Sequence, residues 1–413
     1  MHHHPIRRGL QFLAISLPLL VPPALAQESR ALASDAIPDA MAQAASPEAI
    51  ADYRRRLADY QEARAAFEAE ASAYWTQIAD KRRGRNAKRR QQVAVTLDDY
   101  VLTQPPTYAG PKRPINPEPS EQPEGPRKPP RYIPVVADFL RAAAEQYQFT
   151  PQRPASEMDF KRAYARYAAT AGLTRDQAVR VYSFETGGSG NHDMQSGVRN
   201  GSRAISTAVG YNQLLTTNTV ELLAEQGPEL IRALNDKAVH LSGPARKTVD
   251  AKLAVLRRMV AQARAVPDEW SEHEKIGNSP QGWAMHAMVL DADVGPMLQT
   301  HKLLTSVIFA RQKGYSRPLS AAELEMMNLT GDGTGLDMVT MPQAMREQVP
   351  TSNFFQRSGY ERNPVAIRHN TVAKLLAITD ARMDSNSSNA GAREMVAAFA
   401  AEVGPQYTSV TPH

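Results

Sequence analysis

The spacing of apolar residues predicts a long helix over residues 46–80. Apolar side chains recur there at alternating steps of three and four residues, as in a heptad repeat. The apolar positions of this seam are Ile50, Tyr53, Leu57, Tyr60, Phe67, Tyr74 and Ile78. Ser46 is suited to cap the helix and Pro47 to open its first turn. We expect the helix to dock on its own protein or to pair with a coiled-coil or envelope protein partner.

A basic run and a proline-rich stretch follow this helix. Residues 81–90, KRRGRNAKRR, contain seven basic residues, and the run lacks the interleaved aromatic residues typical of nucleic-acid binding. We interpret it as a solvated segment attracted to an anionic wall polymer. Residues 103–134 are rich in proline, which fixes φ and removes a backbone donor, so they predict an extended, semi-rigid linker. The linker follows a helical, basic N-terminal region, residues 27–102.

Helical spacing continues almost throughout residues 135–405. The segments with this spacing are 135–147, 159–172, 174–185, 220–226, 228–236, 245–264 and 321–328. Only a short stretch near 203–212 has the pattern of a strand. The sequence therefore predicts a mainly α domain with one sizeable core, followed by a tail, residues 406–413.

The first 26 residues have the pattern of a cleavable signal peptide. Arg7 and Arg8 precede an apolar run over residues 9–21, and the small residues at 24–26 form a cleavage site. No later stretch is apolar enough to span a membrane. We expect an exported, periplasmic protein with no mature transmembrane segment.

The composition narrows the chemistry that the chain can perform. There are no cysteines, which excludes disulfides, thiol catalysis and thiolate metal sites. The ten histidines show no paired ligand spacing, and neither a phosphate-binding glycine loop nor a Gly-x-Ser-x-Gly elbow is present. We expect no metal, no other cofactor and no nucleic-acid partner.

A glutamate at the end of a predicted helix is the strongest candidate for catalysis. Thr174 and Gln177 form the pattern of a capping box, and Glu185 continues the face that carries Val181 and Tyr182. Burial and the negative end of the helix dipole both raise the pKa of a carboxyl group in this place. A glutamate that keeps its proton near neutral pH is suited to general acid catalysis. The alternative is that Glu185 only bonds backbone groups where the glycines end the helix.

Three blocks, in order, resemble the lysozyme-like lytic transglycosylases of the transglycosylase SLT superfamily. Residues 185–188, Glu-Thr-Gly-Gly, are similar to the family's Glu-Ser-Gly-Gly, and residues 206–213 are similar to its serine and small residues before Gly-Leu-Met-Gln. The third block, which contains Asn328, is similar to Ala-Tyr-Asn-Ala-Gly-x-Gly, with Met327 in place of the tyrosine. The blocks cover about 185–335. Their spacing implies a divergent member with a hairpin or inserted loop at 189–205.

The resemblance implies a reaction on peptidoglycan. Glu185 would protonate the glycosidic oxygen between N-acetylmuramic acid and N-acetylglucosamine, and would then act as base while the C6 hydroxyl closes onto C1. The product would be a 1,6-anhydromuramoyl sugar, and no second carboxylate would be required, in contrast with ordinary glycosidases. The residues that we expect to bind the glycan are Ser206, Tyr211, Gln213, Asn328 and Tyr360.

Simpler roles stay open for each of these residues. Gln213 and Asn328 could equally be buried amides that tie loops together, and Ser206 a cap or loop residue. Asp193 could be a second carboxyl group, although its glycine- and asparagine-rich surroundings favour a turn. Two alternatives to the transglycosylase also stay open. One is a non-catalytic peptidoglycan-binding or scaffold protein with a lysozyme-like groove, and the other is a hydrolytic lysozyme.

Overall fold

The structure is a computed structural model, and it describes residues 45–118, 132–198 and 203–403. The chain divides at Tyr132 and Ile133 into two compact units, each of which is described by itself. The predicted signal peptide and the tail, residues 406–413, lie outside the described residues. No helix in the described ranges is both long enough and apolar enough to cross a membrane.

The N-terminal unit is built on one helix, α1, Pro47–Arg90. Its predicted start is confirmed, because the Ser46 hydroxyl accepts a hydrogen bond from the Ala49 amide at 3.2 Å. The helix is longer than predicted, since it continues through the whole basic run. Basic side chains in the last turn stabilise this end by offsetting the negative pole of the helix dipole.

The chain after α1 turns back and packs along the same helix. The Tyr74 hydroxyl donates to the Thr103 carbonyl at 2.9 Å, and the Tyr108 ring meets Phe67 edge-on at 5.5 Å between centroids. Arg85 is buried, with its guanidinium 4.3 Å from the centre of the Tyr100 ring. Part of the seam therefore docks on its own chain, and the first residues of the predicted linker are anchored. Arg85 is therefore an exception to the interpretation of the basic run as a mainly solvated segment.

The C-terminal unit is a helical domain, which confirms the mainly α fold class. Its helices are α2 Val136–Tyr147, α3 Glu157–Ala171, α4 Arg175–Thr186, α5 Thr216–Val239, α6 Gly243–Ala263, α7 Trp270–Gly277, α8 Pro280–His286, α9 Val294–Gln312, α10 Ala321–Thr330, α11 Asp332–Val339, α12 Gln343–Arg346, α13 Arg357–Glu361, α14 Pro364–Arg368, α15 Val372–Ser387 and α16 Ala390–Val403. The described residues form no strand. The stretch near 203–212 makes only isolated antiparallel bridges, in which Val209 pairs with Gln195 and Leu214.

The core lies between α5 and the helices around it. Helix α5 packs against α6, α7, α8 and α9, while α4 packs against α10, α15 and α16. The two helices predicted at 220–226 and 228–236 are one helix, with Pro228 inside it. Buried leucines on both sides of Pro228, among them Leu223 and Leu230, hold the helix continuous although proline removes one hydrogen bond.

Candidate active site

Helix α4 begins and ends as its sequence predicts. The Thr174 hydroxyl accepts a hydrogen bond from the Gln177 amide at 3.1 Å, and the Gln177 side chain accepts one from the Thr174 amide at 3.0 Å. The capping box is therefore confirmed. Gly187 follows the last residue of the helix with a φ of 66°, in the left-handed region that favours glycine. The helix thus stops one residue after Glu185.

Close packing against α15 holds this helix end in place. Gly188 has a φ of +67°, and a Cβ atom added to it would lie 2.1 Å from the Asn386 carbonyl oxygen. The Asn386 side chain donates to the Ser183 carbonyl at 3.0 Å, and Asn389 donates to the Gly187 carbonyl at 2.8 Å. Only glycine fits at position 188, and the position of Glu185 relative to α15 is set by these contacts.

Glu185 has the electrostatic character expected of a general acid. Its side chain is only partly exposed, and it makes no hydrogen bond to any described residue. Burial raises the pKa of Glu185 to about 7, and the nearby positive charge of Lys302 limits the rise. Glu185 therefore keeps its proton up to neutral pH, and enough of it is exposed to meet a ligand.

A second carboxyl group, which sequence reasoning missed, lies near Glu185. Glu325 on α10 is buried, and its Oε2 atom has no hydrogen-bond partner among the described residues. Burial and then the charge of Glu185 raise its pKa well above the usual range, while Asn328 and Lys302 act in the opposite direction. Because Glu325 is the more deeply buried of the two, burial favours its neutral form more strongly.

A pocket lies beside Lys302 and Asn328, although neither Glu185 nor Glu325 lines it. A water molecule can reach about 40 Å³ of it, and it opens to solvent. The residues with polar or aromatic side chains that face it include Asn218, Glu221, Glu225, Trp270, Lys302 and Asn328. Lys302 and Asn328 line the pocket and also lower the pKa of Glu325, so they lie between the pocket and the carboxyl pair. Of the residues predicted to bind a glycan, Asn328 is the one that reaches this pocket.

Glu221 is one of the carboxyl groups that line the pocket. It lies on α5, one turn before Glu225, and is partly exposed. Burial and then the charge of Glu225 raise the pKa of Glu221 to about 7, while Lys302 lowers it. The site therefore contains two partly exposed carboxyl groups that titrate near neutral pH.

The second sequence block forms a loop that is tied to α9. The Asn212 amide donates to the Gln299 side chain at 2.8 Å, and the Asn212 side chain donates to the Gln299 carbonyl at 2.7 Å. Gly210 has a φ of 84°, and a Cβ atom there would lie 2.0 Å from the Gln299 side-chain nitrogen. Glycine is thus required in this block because the loop lies directly against α9.

Gln213 and Ser206 support the loop. Gln213 accepts a hydrogen bond from the Ser196 hydroxyl at 2.6 Å and donates one to the Gly210 carbonyl at 2.7 Å, so the structure favours its loop-tying role. The Ser206 hydroxyl accepts a hydrogen bond from the Ala208 amide at 3.2 Å, which is the loop role left open for it.

The predicted aromatic contacts lie inside the protein. Tyr211 is fully buried, its hydroxyl donates to Glu157, and its ring is packed edge-on against Tyr182. It is therefore not placed to stack on a sugar, which corrects the role predicted for it. Tyr360 is also buried and packs near Phe355. Neither Tyr211 nor Tyr360 lines the pocket.

The possible second carboxylate in the loop is engaged elsewhere. Asp193 lies in a turn, as its glycine- and asparagine-rich surroundings suggested, and it forms an ion pair with Arg153. Its charge has no effect on the pKa of Glu185. Comparisons with known proteins find no matching family model, no matching curated protein and no matching solved structure. Glu185 and Glu221 can each donate or accept a proton near neutral pH.

Proposed function

We propose that this chain is an exported peptidoglycan lytic transglycosylase with a lysozyme-like domain. The observation that carries the proposal is Glu185: a partly exposed carboxyl group at a fixed helix end, with a pKa raised to about 7. The order of the three sequence blocks supplies the substrate class. The substrate is the glycan strand of peptidoglycan, and the predicted signal peptide places the enzyme in the periplasm.

Glu185 would perform the reaction in two steps. In its protonated form it donates a proton to the glycosidic oxygen as the bond between that oxygen and C1 of N-acetylmuramic acid breaks. The carboxylate that remains is stabilised by the positive charge of Lys302. It then takes the proton of the C6 hydroxyl as that oxygen bonds to C1. The 1,6-anhydro product results, and Glu185 is again protonated.

Glu325 does not supply the second carboxylate of an ordinary glycosidase. A buried carboxyl group that stays neutral is a poor base and a poor nucleophile. Its uncharged state also spares Glu185 a close negative charge while the bond is cleaved. This favours the mechanism with one catalytic glutamate.

Digestion of purified peptidoglycan tests the proposal. The protein without its first 26 residues should release muropeptides lighter by one water than hydrolytic products, as measured by mass spectrometry. Glu185→Gln should release none. Asp176→Asn, on the exposed first turn of the same helix, is the matched control and should keep the activity. Binding of the sacculus without release of products by any variant would instead support a wall-binding scaffold.

A further inference from the structure

The basic run at the end of α1 presents two different faces. Lys81, Arg85 and Lys88 face the chain that returns along the helix. Lys81 donates a hydrogen bond to the Asp98 carbonyl, and Arg85 donates one to the Asp99 carbonyl at 3.0 Å. Lys88 pairs with the Asp99 carboxylate at 2.7 Å. Because these three basic residues lie four and three positions apart, they share one side of the helix.

The other four basic residues of the run, all of them arginines, lie on a second face. Arg82 and Arg89 are seven positions apart, as are Arg83 and Arg90, so each pair forms a column with about 10 Å between its members. The two columns lie about 100° apart around the helix axis, on either side of Asn86. Arg83, Arg89 and Arg90 are exposed, and Arg82 is half-buried. This arginine face therefore presents four positive charges beside one another.

Few negative charges offset the arginine face, and its shape is fixed. The chain has no acidic residue between 81 and 97, and the exposed pair of Arg83 with Asp80 is of the weak, easily exchanged kind. The buried guanidinium of Arg85, packed on the Tyr100 ring, holds this end of α1 against the chain that follows it. The arginines therefore stand on a rigid helix and need little ordering to bind a partner.

A flat array of phosphate groups fits this arrangement. The planar guanidinium group donates two parallel hydrogen bonds to one phosphate, which an ammonium group does not. A flat surface facing Asn86 meets both columns at once, whereas a single polymer strand can follow one column only. The other side of α1 is covered by residues 98–108 of its own chain, so the partner is held by charge and without an inserted apolar side chain. These features favour a lipid bilayer over the wall polymer that the sequence suggested.

We propose that the arginine face is a docking surface for the phosphate groups of an anionic lipid bilayer. Each basic side chain near such a surface adds to the attraction, and the attraction weakens as salt screens the charges. Docking would hold the protein at a membrane surface by way of its N-terminal unit. The proposal does not involve Glu185, so it goes beyond the proposed reaction and stands apart from it.

Co-sedimentation with lipid vesicles tests the proposal. The protein without its first 26 residues should bind vesicles of equal parts phosphatidylglycerol and phosphatidylcholine, and should not bind vesicles of phosphatidylcholine alone. Substituting the three exposed members of the face, Arg83→Gln, Arg89→Gln and Arg90→Gln together, should lower the vesicle partition coefficient about 100-fold. Glutamine has a helix propensity close to that of arginine, and circular dichroism checks that the helix is kept. Binding by the wild-type protein should also decrease as the salt concentration is raised.

The matched control lies at the start of the same helix. Arg54→Gln, Arg55→Gln and Arg56→Gln together remove the same charge from three exposed positions. Asp52 pairs there with Arg55 and Arg56, so a carboxylate already offsets this group of arginines. The control variant should therefore keep most of the vesicle binding.

Three outcomes would overturn the proposal. An equal loss of binding in the two triple variants would show that net charge, and not the arginine face, attracts the vesicles. No binding of the wild-type protein to the anionic vesicles would remove the membrane as its partner. Binding of the wild-type protein to purified peptidoglycan instead, abolished by the substitutions at Arg83, Arg89 and Arg90, would assign the face to the wall polymer. Since vesicle binding does not depend on glycan cleavage, an inactive enzyme would leave the docking surface standing.

Discussion

Two groups of charged side chains in the helical domain differ in how acids and bases are matched. Around Lys252, the ammonium nitrogen lies 2.8 Å from Asp291 Oδ1 and 2.7 Å from Asp293 Oδ2, and Lys237 also pairs with Asp293. Lys302, in contrast, is the one lysine whose charge lowers the pKa of three carboxyl groups, those of Glu185, Glu221 and Glu325.

The difference appears in the pKa values. Burial acts to raise the pKa of Asp293, but Lys252 and Lys237 outweigh it and the net change is downward. Burial prevails at Glu185 and Glu221, whose pKa values rise to about 7. Matched buried charges stay ionised and hold the fold, whereas carboxyl groups that outnumber their lysine keep protons that a reaction can use.

The largest effect is expected at Glu185. Glu185→Gln keeps the shape of the side chain but cannot donate its proton, so the rate of muropeptide release should fall by about 10²–10⁴-fold. The free energy of unfolding at pH 5 should change little. If Glu185→Gln cleaved at close to the wild-type rate, the proton held by Glu185 would not be used in the reaction. The group around Lys302 would then not differ in function from the group around Lys252.

Loss of the ion pairs around Lys252 should lower the free energy of unfolding. Lys252→Met leaves two buried aspartates without their main partner, and the expected loss in the free energy of unfolding is about 3–5 kcal/mol. Urea denaturation measures it. Lys237→Met is the control: its side chain is 48% exposed, so the loss should stay below about 1 kcal/mol. Equal losses in the two variants would contradict the account.

A smaller effect is expected from the glycine beside Glu185. Gly188→Ala places a methyl group against the Asn386 carbonyl and requires a left-handed alanine, which together should cost about 2–3 kcal/mol in unfolding free energy. Gly172→Ala is the matched control, because Gly172 also has a positive φ but no atom lies within 4 Å of the added Cβ. It should cost only about 1 kcal/mol. A Gly188→Ala variant as stable as Gly172→Ala would show that the end of α4 is loosely held.

The smallest effect, but the one that contrasts the two groups most clearly, is the pH dependence of stability. The raised pKa of Glu185 means that the folded protein binds this proton more tightly than the unfolded chain. Stability is therefore lost as the pH rises from about 4.5 to about 7. Glu185→Gln should be more stable than the wild-type protein at pH 8, on the order of 2 kcal/mol, and equally stable near pH 4.

Asp293 should show the opposite sign. Its lowered pKa contributes stability above the pKa of the unfolded chain, and this is lost as the pH falls through the folded value. Asp293→Asn should therefore be destabilising at pH 7 and less so at pH 3. Thermal unfolding at the two pH values measures both variants. The same sign for Asp293→Asn and Glu185→Gln would contradict the comparison.

The parts of the site that local sequence determines could be predicted. The capping box of α4, its end at the glycines and the partial burial of Glu185 follow from residues within one helix. The mainly α fold class likewise follows from spacing along the chain. The start of α1 at Ser46 could be predicted, but its extension through the basic run depends on the burial of Arg85 against Tyr100.

The partners of Glu185 could not be predicted, because tertiary packing brings them together. Glu325, Glu221 and Lys302 come from α10, α5 and α9, which are far from α4 along the chain. A signal was present for Glu325, a charged residue in the otherwise apolar stretch LEMM. The sequence-based prediction for Tyr211 is wrong in a different way. An aromatic residue in a glycine-containing loop suggested ligand binding, but Tyr211 packs in the core.

The central claim is that Glu185 holds its proton near neutral pH. Its direct test is a titration of the side-chain carboxyl carbon by NMR, on protein labelled at glutamate, with the Glu185 signal assigned by its loss in Glu185→Gln. The account predicts a pKa of about 7. A value near the usual 4.5 would contradict it, because Glu185 would then be ionised at the pH at which it must donate a proton.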